Sequence, residues 1–285
     1  SYSYGLSIIN THLLIGCAII LTSKTLMNRT FWDLLKTYKA TTFGGVPYVY
    51  EMLKKLRFER MTLPSLKILT QAGGKLRPEL AKEFAIICEQ KGIKFFVMYG
   101  QTEATTRMAY LPSEYAVVKA GSMGGAIPGG EFWLEDDSGN IIEGSDIAGE
   151  LVYKGENVSM GYALTRLDLS KGDENGGILK TGDIAKRDSD GFYYIVGRKK
   201  RFLKLFGNRV NLDELEQLLK DAGYDCACAG VDDKLKIFVT GKERHDVIKR
   251  FASESTGIHQ AAFSVSSIES IPRNEAGKTL YSLLG

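Results

Sequence analysis

The chain has 285 residues, of which 44% are hydrophobic and 25% are charged, a composition typical of globular proteins. This composition excludes a disordered, collagen-like or coiled-coil chain, and the length predicts two domains of roughly 150 residues each. Thirty-seven Lys and Arg against 34 Asp and Glu leave a net charge of +3. A surface built as a whole to bind nucleic acid or an anionic membrane is therefore excluded.

The longest apolar run, residues 13–21, is too short for a membrane-spanning helix, which needs about 20 residues. No Lys or Arg precedes it as in a signal peptide, so we expect a buried strand here and no membrane span. The four cysteines are too few and too scattered for a disulfide framework, which favours a cytoplasmic location. Cys226 and Cys228 are interpreted as core residues of a strand, because no histidine lies at metal-ligand spacing from them.

Residues 16–99 alternate short apolar runs with helical patterns, which is typical of a parallel sheet covered by helices. Pro47 and Pro78 mark helix starts, since proline is tolerated in the first turn. The predicted strands are 17–21, 41–43, 66–69 and 94–98, and the predicted helices are 30–38, 47–56 and 78–91.

The pattern changes after residue 119 to short strands broken by glycine turns, which predicts an antiparallel barrel or sandwich. Beyond Arg198 the pattern predicts helices at 212–221 and 244–255 and strands at 227–231, 235–240 and 263–267. We therefore expect an α/β fold class with three parts. These are a parallel-sheet α/β subdomain in residues 1–118, a β-barrel-like subdomain in 119–197, and a small C-terminal α+β lid domain in 198–285.

A short polar motif directly follows the predicted strand 94–98. It consists of Tyr99, Gly100, Gln101, Thr102 and Glu103. In open parallel sheets ligands bind at the carboxyl ends of strands, so this is a suitable place for a nucleotide. Taken alone, the motif is equally compatible with a loop whose polar groups satisfy one another.

Further motifs follow in order along the chain. They are residues 149–155, Gly161-Tyr162, the segment 180–183 ending in Asp183, and Gly197-Arg198. With these motifs in this order the sequence resembles the adenylate-forming superfamily, which comprises AMP-forming acyl-CoA synthetases, luciferases and peptide-synthetase adenylation domains. The resemblance covers essentially the whole chain.

The resemblance implies a role for each residue of the first motif and its partners. The Tyr99-Gly100-Gln101 segment would bind the nucleotide, with Tyr99 stacked on adenine, and Thr102 would contact the α-phosphate of the adenylate. Glu103 would ligate Mg²⁺, a hard cation that takes oxygen ligands alongside phosphate oxygens.

Two other positions complete the nucleotide site that the resemblance implies. Asp183 would bind the ribose hydroxyls of ATP or AMP, with Arg198 beside it, so that Tyr99, Asp183 and Arg198 would surround one pocket. The loop Gly73-Gly74-Lys75 would approach the adenine and the acyl group, which glycine permits because it has no side chain.

Residues 198–209 carry six basic side chains. A solvated charge run and a nucleic-acid patch are both possible, but the segment lacks the aromatic stacking platform of a single-strand binder. In the resembled family this segment joins the large and small domains, with Lys200 at the hinge. Lys204 and Gly207 would face the active site during thioester formation, and the glycine would leave room for the pantetheine arm of coenzyme A.

Residues 272–279 superficially contain the end of a P-loop. That motif fails because Pro272 stands where its first glycine is required and no strand-loop-helix context surrounds it. In the resembled family this segment supplies Lys278, which would reach the reacting carboxylate and α-phosphate and neutralise charge in the transition state. One departure is Tyr281, where the family usually carries a basic residue.

The sequence contains no Ser/Thr/Gly-rich loop of the kind that holds the β- and γ-phosphates of ATP in this family. We expect the C-terminal part of a carboxylate–CoA ligase that uses ATP, Mg²⁺ and coenzyme A, and residues 1–285 alone to be nearly inactive. A split or non-catalytic AMP-binding module needing a partner chain, and an enzyme that loads an acyl carrier protein, are the alternatives. Because residues 1–5 contain no Asp to hold an α-ammonium, we expect an apolar or aromatic acid such as a fatty acid.

Overall fold

A computed structural model describes residues 3–241, 244–274 and 279–284. The chain divides into two compact units. The first comprises Ser1–Thr181 and Ala185–Ile195, and the second comprises Gly182–Ile184 and Val196–Gly285. No helix in the described ranges combines the length and the apolar character that crossing a membrane requires.

The first unit is built on a five-stranded sheet in the order β1-β2-β3-β4-β5. Strands β1, β2 and β3 are parallel, and β4 and β5 are added antiparallel. The strands are β1 (Thr42–Gly45), β2 (Ile68–Gln71), β3 (Lys94–Tyr99), β4 (Ala109–Leu111) and β5 (Gly125–Ala126). The carboxyl ends of β1, β2 and β3 therefore meet at one edge.

In the described residues of the first unit, four helices accompany this sheet: α1 (Ser3–Leu14), α2 (Arg29–Thr37), α3 (Pro47–Lys55) and α4 (Pro78–Gln90). Both α3 and α4 begin with proline, whose missing N–H costs nothing in the first turn. The Asn28 side chain caps α2 by accepting the Thr30 N–H. Against the sheet, α3 and α4 bury a core that includes Tyr50, Phe84 and Phe95.

A four-stranded sheet in the order β6-β7-β8-β9 follows. It comprises β6 (Glu131–Glu135), β7 (Gly149–Lys154), β8 (Ile178–Arg187) and β9 (Tyr193–Arg198). Strands β6 and β7 are antiparallel with Phe132 opposite Tyr153, and both rings lie in one buried cluster with Tyr193. This sheet fills the region where short antiparallel strands were predicted.

The second unit combines a hairpin with a three-stranded sheet in the order β12-β13-β14, where β13 pairs antiparallel with β12 and parallel with β14. Leu212, Leu215 and Leu219 form the buried face of α5 at helical spacing. The elements are β10 (Phe202–Leu205), β11 (Asn208–Asn211), α5 (Leu212–Asp221), β12 (Cys226–Val231), β13 (Lys234–Thr240), α6 (His245–Thr256) and β14 (Phe263–Ile268).

One predicted element is wrong. The apolar run 13–21 is not a buried strand, because α1 extends to Leu14 and the rest of the run is irregular. Leu14 is 85% exposed and Leu21 80% exposed. An apolar run becomes a strand only when a neighbour offers backbone partners, and in the described residues β1 pairs with β2 alone.

The other predicted helices and strands are confirmed within a few residues at each end. Cys226 and Cys228 are fully buried free cysteines on β12, as expected for core residues. Strand β5 pairs with β4, so the first sheet also takes in residues 125–126. The three-part domain division and the hinge at Lys200 stay predictions.

Candidate nucleotide site

Tyr99 is the last residue of β3, at the carboxyl end of a parallel strand. Its carbonyl accepts the Met108 N–H at 2.9 Å, which holds the following segment against the strand end. The Tyr99 ring packs 6.4 Å from the ring of Phe132. The Gln101 Nε2 donates to the Tyr99 hydroxyl at 3.3 Å. The aromatic residue predicted to stack on adenine thus stands where ligands bind in parallel sheets.

Thr102 and Glu103 lie on a short 3₁₀ turn directly after the strand end. The hydroxyl oxygens of Thr102 and Ser3 are 3.0 Å apart. The Glu103 carboxylate accepts a hydrogen bond from the Tyr162 hydroxyl, and this bond raises the pKa of Tyr162. Gln101 also donates to the carbonyl of Thr181 at 2.9 Å. The motif is therefore held from several sides, and it carries a hydroxyl and a carboxylate on consecutive residues.

Position 100 requires glycine because the backbone of Thr106 lies too close for any side chain. A Cβ at this position would lie 1.7 Å from the carbonyl oxygen of Thr106. The backbone at Thr105 and Thr106 has φ of 49° and 82°, a left-handed conformation that is costly for β-branched residues. Such strain persists only where surrounding contacts enforce it, and it is common at binding sites.

The Asn157 side chain holds the strained backbone at Thr105 and Thr106 by hydrogen bonds on either side of it. Its Nδ2 donates to the carbonyls of Ala104 at 2.7 Å and Arg107 at 3.0 Å, while its Oδ1 accepts from the Tyr153 hydroxyl at 2.8 Å. The Nε of Arg107 is buried and has no hydrogen-bond partner in the described part of the chain. The Asn157 amide thus adds two hydrogen bonds to the backbone bonds that hold the loop after Glu103.

The loop 73–75 follows β2 and lies at the same edge of the sheet as Tyr99, because β2 and β3 are adjacent and parallel. Gly73 has φ of 79°, a conformation that glycine adopts without strain. The Gln71 side chain donates to the carbonyl of Gly74 at 2.8 Å. Lys75 donates to the carbonyl of Ile195 at 2.9 Å. The fold therefore places the predicted loop beside the first motif.

Asp183 and Arg198 belong to the second unit and form an ion pair. The Arg198 Nε is 3.0 Å from the Asp183 Oδ1. Asp183 is 4% exposed, whereas the Arg198 side chain is 64% exposed. The structure thus places Arg198 beside Asp183, and the roles of both residues at a ribose stay predictions.

Lys200 is exposed in the 3₁₀ segment Lys199–Arg201 that precedes β10. Lys204 is exposed on β10, where its N–H donates to Asp232 at 2.8 Å. Gly207 occupies the turn between β10 and β11 with φ of 84°. Lys278 lies outside the described residues. The approach of the second-unit residues to Tyr99 stays a prediction.

The residues at the motif fit Mg²⁺ in one particular way. The described ranges hold no group of three or more His, Cys, Asp and Glu side chains placed to bind a metal. Mg²⁺ is usually held by one or two carboxylates together with substrate phosphates rather than by an all-protein cage. The Glu103 carboxylate beside the Thr102 hydroxyl suits that mode.

Sequence reasoning missed four contributors to this site: Ser3, Asn157, Tyr162 and Arg107. The Gly161-Tyr162 pair was recognised as part of an ordered motif but had no role until the structure placed its hydroxyl on Glu103. Asn157 and Arg107 carried no local signal, because their contacts reach across about 50 positions of the chain or depend on burial.

The fold is shared with solved coenzyme A synthetases. O-succinylbenzoate coenzyme A synthetase from Bacillus subtilis, in complex with AMP, superposes with a TM-score of 0.80 at 22% identity. The match covers 99% of this chain and 58% of that chain. A Mycobacterium tuberculosis fatty acyl CoA synthetase gives a TM-score of 0.65 at 23% identity, over 99% of this chain and 57% of that one.

The sequence profile described as AMP-binding enzyme matches residues 1–163, more than half of the chain. The chain therefore belongs to the AMP-binding enzyme family, which confirms the resemblance read from its motifs.

Two curated relatives are 2-succinylbenzoate–CoA ligases. That of Bacillus cereus (strain Q1) is 27% identical over 291 residues, covering 97% of this chain and 58% of the relative. That of Geobacillus sp. (strain WCH70) is 31% identical over 205 residues, covering 68% of this chain and 41% of the relative. The matches thus span 58% of the Bacillus cereus relative's length and 41% of the Geobacillus relative's length.

Proposed function

We propose that this chain is part of an ATP-dependent carboxylate–CoA ligase, an AMP-forming acid–thiol ligase. The observation that carries the proposal is the segment Tyr99–Glu103 at the carboxyl end of β3, in a chain of the AMP-binding family. An aromatic ring, a hydroxyl and a carboxylate follow one another along the chain there, and these groups suit an adenine, an α-phosphate and its counter-ion. The names of the relatives, which are CoA ligases, support the choice of acceptor.

In the first half-reaction a carboxylate oxygen of the acid attacks the α-phosphorus of ATP, and the bond to pyrophosphate breaks. The Thr102 hydroxyl donates to an α-phosphate oxygen, and Asp183 accepts from the ribose hydroxyls. Lys278 neutralises the charge that develops on the phosphorus oxygens. Glu103 would hold Mg²⁺, which would supply further positive charge to the phosphates.

In the second half-reaction the thiol sulfur of coenzyme A attacks the acyl carbonyl carbon. The bond to AMP breaks, AMP leaves, and the thiol proton is released to solvent. Lys204 and the Gly207 turn line the approach of the pantetheine arm after the second unit turns about Lys200. Four free cysteines support a cytoplasmic location for this chemistry.

The test is ATP–pyrophosphate exchange and acyl-CoA formation with the full-length protein over a panel of carboxylic acids. The panel contains 2-succinylbenzoate, fatty acids of several lengths, benzoates and amino acids. We expect an apolar or aromatic acid to support both reactions, and absence of exchange with every acid would refute the proposal.

The Lys278→Ala variant is the matched control for mechanism. It should lose pyrophosphate exchange while still transferring the acyl group from supplied acyl-adenylate, because its charge acts only in adenylation. Equal loss of both half-reactions would contradict the role of Lys278.

Two alternatives are outcomes of the same experiment. Transfer to a phosphopantetheinyl carrier protein in place of coenzyme A would identify a carrier-loading enzyme. Restoration of exchange only by a second polypeptide would identify a split enzyme. Residues 1–285 alone are expected to show little exchange, because they contain no glycine-rich loop to orient the pyrophosphate leaving group.

A further inference from the structure

Arg201 is a buried cation in the second unit. It ends the short 3₁₀ segment Lys199–Arg201, directly after Lys200. The residue is 8% exposed, whereas Lys199 and Lys200 beside it are exposed. Arginine is almost never buried unless its charge is paired. The partners of Arg201 therefore show which elements its side chain connects.

The guanidinium of Arg201 is used on three sides. Its Nε donates to the Asp213 Oδ1 at 2.8 Å, its Nη1 donates to the Cys228 carbonyl at 2.5 Å, and its Nη2 donates to Glu216. Burial lowers the pKa of Arg201, but the carboxylates of Glu216 and Asp213 outweigh this effect and leave it raised. The charged side chain of Arg201 therefore connects α5 to β12 through its hydrogen bonds.

Glu216 is the most buried carboxylate of this group, at 3% exposure. Its Oε1 also accepts the Cys228 N–H at 2.7 Å, and its Oε2 accepts from the Tyr281 hydroxyl at 3.0 Å and from Lys220 at 3.2 Å. Both oxygens are thus satisfied, as a buried charge requires.

Tyr281 closes the cluster from the C-terminal segment. Its ring lies over the Arg201 guanidinium, with the Cζ 3.7 Å from the ring centroid. Burial and the neighbouring Glu216 raise the pKa of Tyr281, so the phenol keeps its proton and donates to Glu216. Stacking and hydrogen bonding together fix the ring in one position.

Tyr281 stands three positions after Lys278 in the C-terminal segment 272–284. At the described borders of that segment, Arg273 forms an antiparallel bridge with Thr279. The Leu280 N–H donates to the Pro272 carbonyl at 2.8 Å. Beyond this bridge, the Tyr281 hydroxyl reaches the buried carboxylate of Glu216 on α5.

We propose that Arg201, Glu216 and Tyr281 form an anchor cluster that positions the Lys278 segment for adenylation and ties it to the residue that follows the hinge. This inference rests on the proposed function. The cluster acts through Lys278, so its members are positioning residues. It also explains Tyr281, where the resembled family usually carries a basic residue: here the cation comes from Arg201 and the tyrosine ring covers it.

Loss of the anchor cluster should affect the two half-reactions differently. A displaced Lys278 slows adenylation, because a shift of about 1 Å from a distant change can cost on the order of 100-fold in rate. Thioester formation, which uses the Lys204 and Gly207 face instead, should be spared. A cluster that served only stability would lower both half-reactions together, through the fraction of folded protein.

The test compares Tyr281→Phe, Tyr281→Leu and the control Tyr224→Phe in the full-length protein. Tyr281→Phe removes the bond to Glu216 and keeps the stacked ring, whereas Tyr281→Leu removes both. Tyr224 is a partly buried tyrosine that packs on the core of the same unit. We expect kcat for pyrophosphate exchange to fall about tenfold in Tyr281→Phe, equivalent to one hydrogen bond to a charged group. It should fall further in Tyr281→Leu and stay unchanged in Tyr224→Phe.

Three readouts accompany the exchange assay. The KM for ATP and transfer from supplied acyl-adenylate should change less than twofold, roughly the limit of a kinetic comparison. Amide hydrogen exchange at residues 279–284 should accelerate in Tyr281→Leu only. Equal losses in both half-reactions, or unchanged amide protection, would overturn the anchor cluster. If the unmodified protein activates no acid, the proposed function fails, and the amide measurement alone then supports or overturns the anchoring.

Discussion

Replacing Asp183 tests the proposed ribose contact, because its carboxylate has two possible uses. It pairs with Arg198 across 3.0 Å, and the proposed function also gives it the ribose hydroxyls. The ion pair contributes little to stability, since the Arg198 side chain is 64% exposed and exposed pairs contribute about 0–1 kcal/mol. The proposed ribose bonds would be charge-assisted, and the Asp183 carboxylate that would accept them is 4% exposed.

The ion pair and the proposed ribose contact therefore predict different effects on stability and on AMP affinity when Asp183 is replaced. Losing hydrogen bonds to the Asp183 carboxylate should weaken AMP binding by about 1.5–3 kcal/mol, a factor of roughly 10 to 150 in Kd. Asp183→Ala should show the full loss, and Asp183→Asn a smaller one, because the amide keeps one acceptor. The free energy of unfolding should change by no more than about 1 kcal/mol in Asp183→Asn.

The assay is calorimetric titration of the full-length protein with AMP, alongside urea unfolding of the same preparations. An unchanged Kd in Asp183→Ala would refute the ribose contact. A loss of affinity that parallels a loss of stability would also refute it, because Asp183 would then act only through the fold.

Three further predictions concern the first unit. Gly100→Ala should destabilise the protein by about 1–3 kcal/mol and impair AMP binding, because the new Cβ meets the Thr106 carbonyl at 1.7 Å. Gly125→Ala, with nothing within 4 Å of its Cβ, should stay within about 0.5 kcal/mol in urea unfolding, and equal effects would contradict the steric argument. Asn157→Ala should cost about 1–3 kcal/mol, because it leaves two carbonyls without their donor. Tyr153→Phe removes one bond to the same side chain and should cost less, so the reverse order would be evidence against this role of Asn157. Lys119→Met should destabilise the protein at pH 7 much more than at pH 3. Burial raises the pKa of Asp188, but the hydrogen bond from Lys119 at 2.9 Å and the other bonds outweigh it and leave that pKa lowered. The resulting stability is present above the unfolded value of about 3.9 and is lost as the pH falls through the folded value. Equal losses of unfolding free energy at both pH values would contradict this linkage.

The sequence by itself determined the elements whose signals are local. Helix α5 was predicted at 212–221 and lies at Leu212–Asp221, because an Asn cap, an acidic first turn and apolar residues at helical spacing all act within one stretch of chain. The place of Tyr99 at a strand end followed in the same way from a short apolar run and the polar motif after it. The order of the motifs was sufficient to recognise the family.

Tertiary structure alone decided the features that depend on distant partners. The run 17–21 has the composition of a buried strand, yet it forms none in the described chain, since strand formation requires a neighbouring backbone. The local sequence does not predict that Gly100 lies close to Thr106. It also does not predict the hydrogen bonds from Asn157 to the loop after Glu103. In the second unit Arg201 belongs to a run of six basic side chains. Arg201 is buried, whereas residues 198–200 before it are exposed. Burial of this cation is possible because Glu216 and Tyr281, which are remote in sequence, provide a negative charge and an aromatic ring.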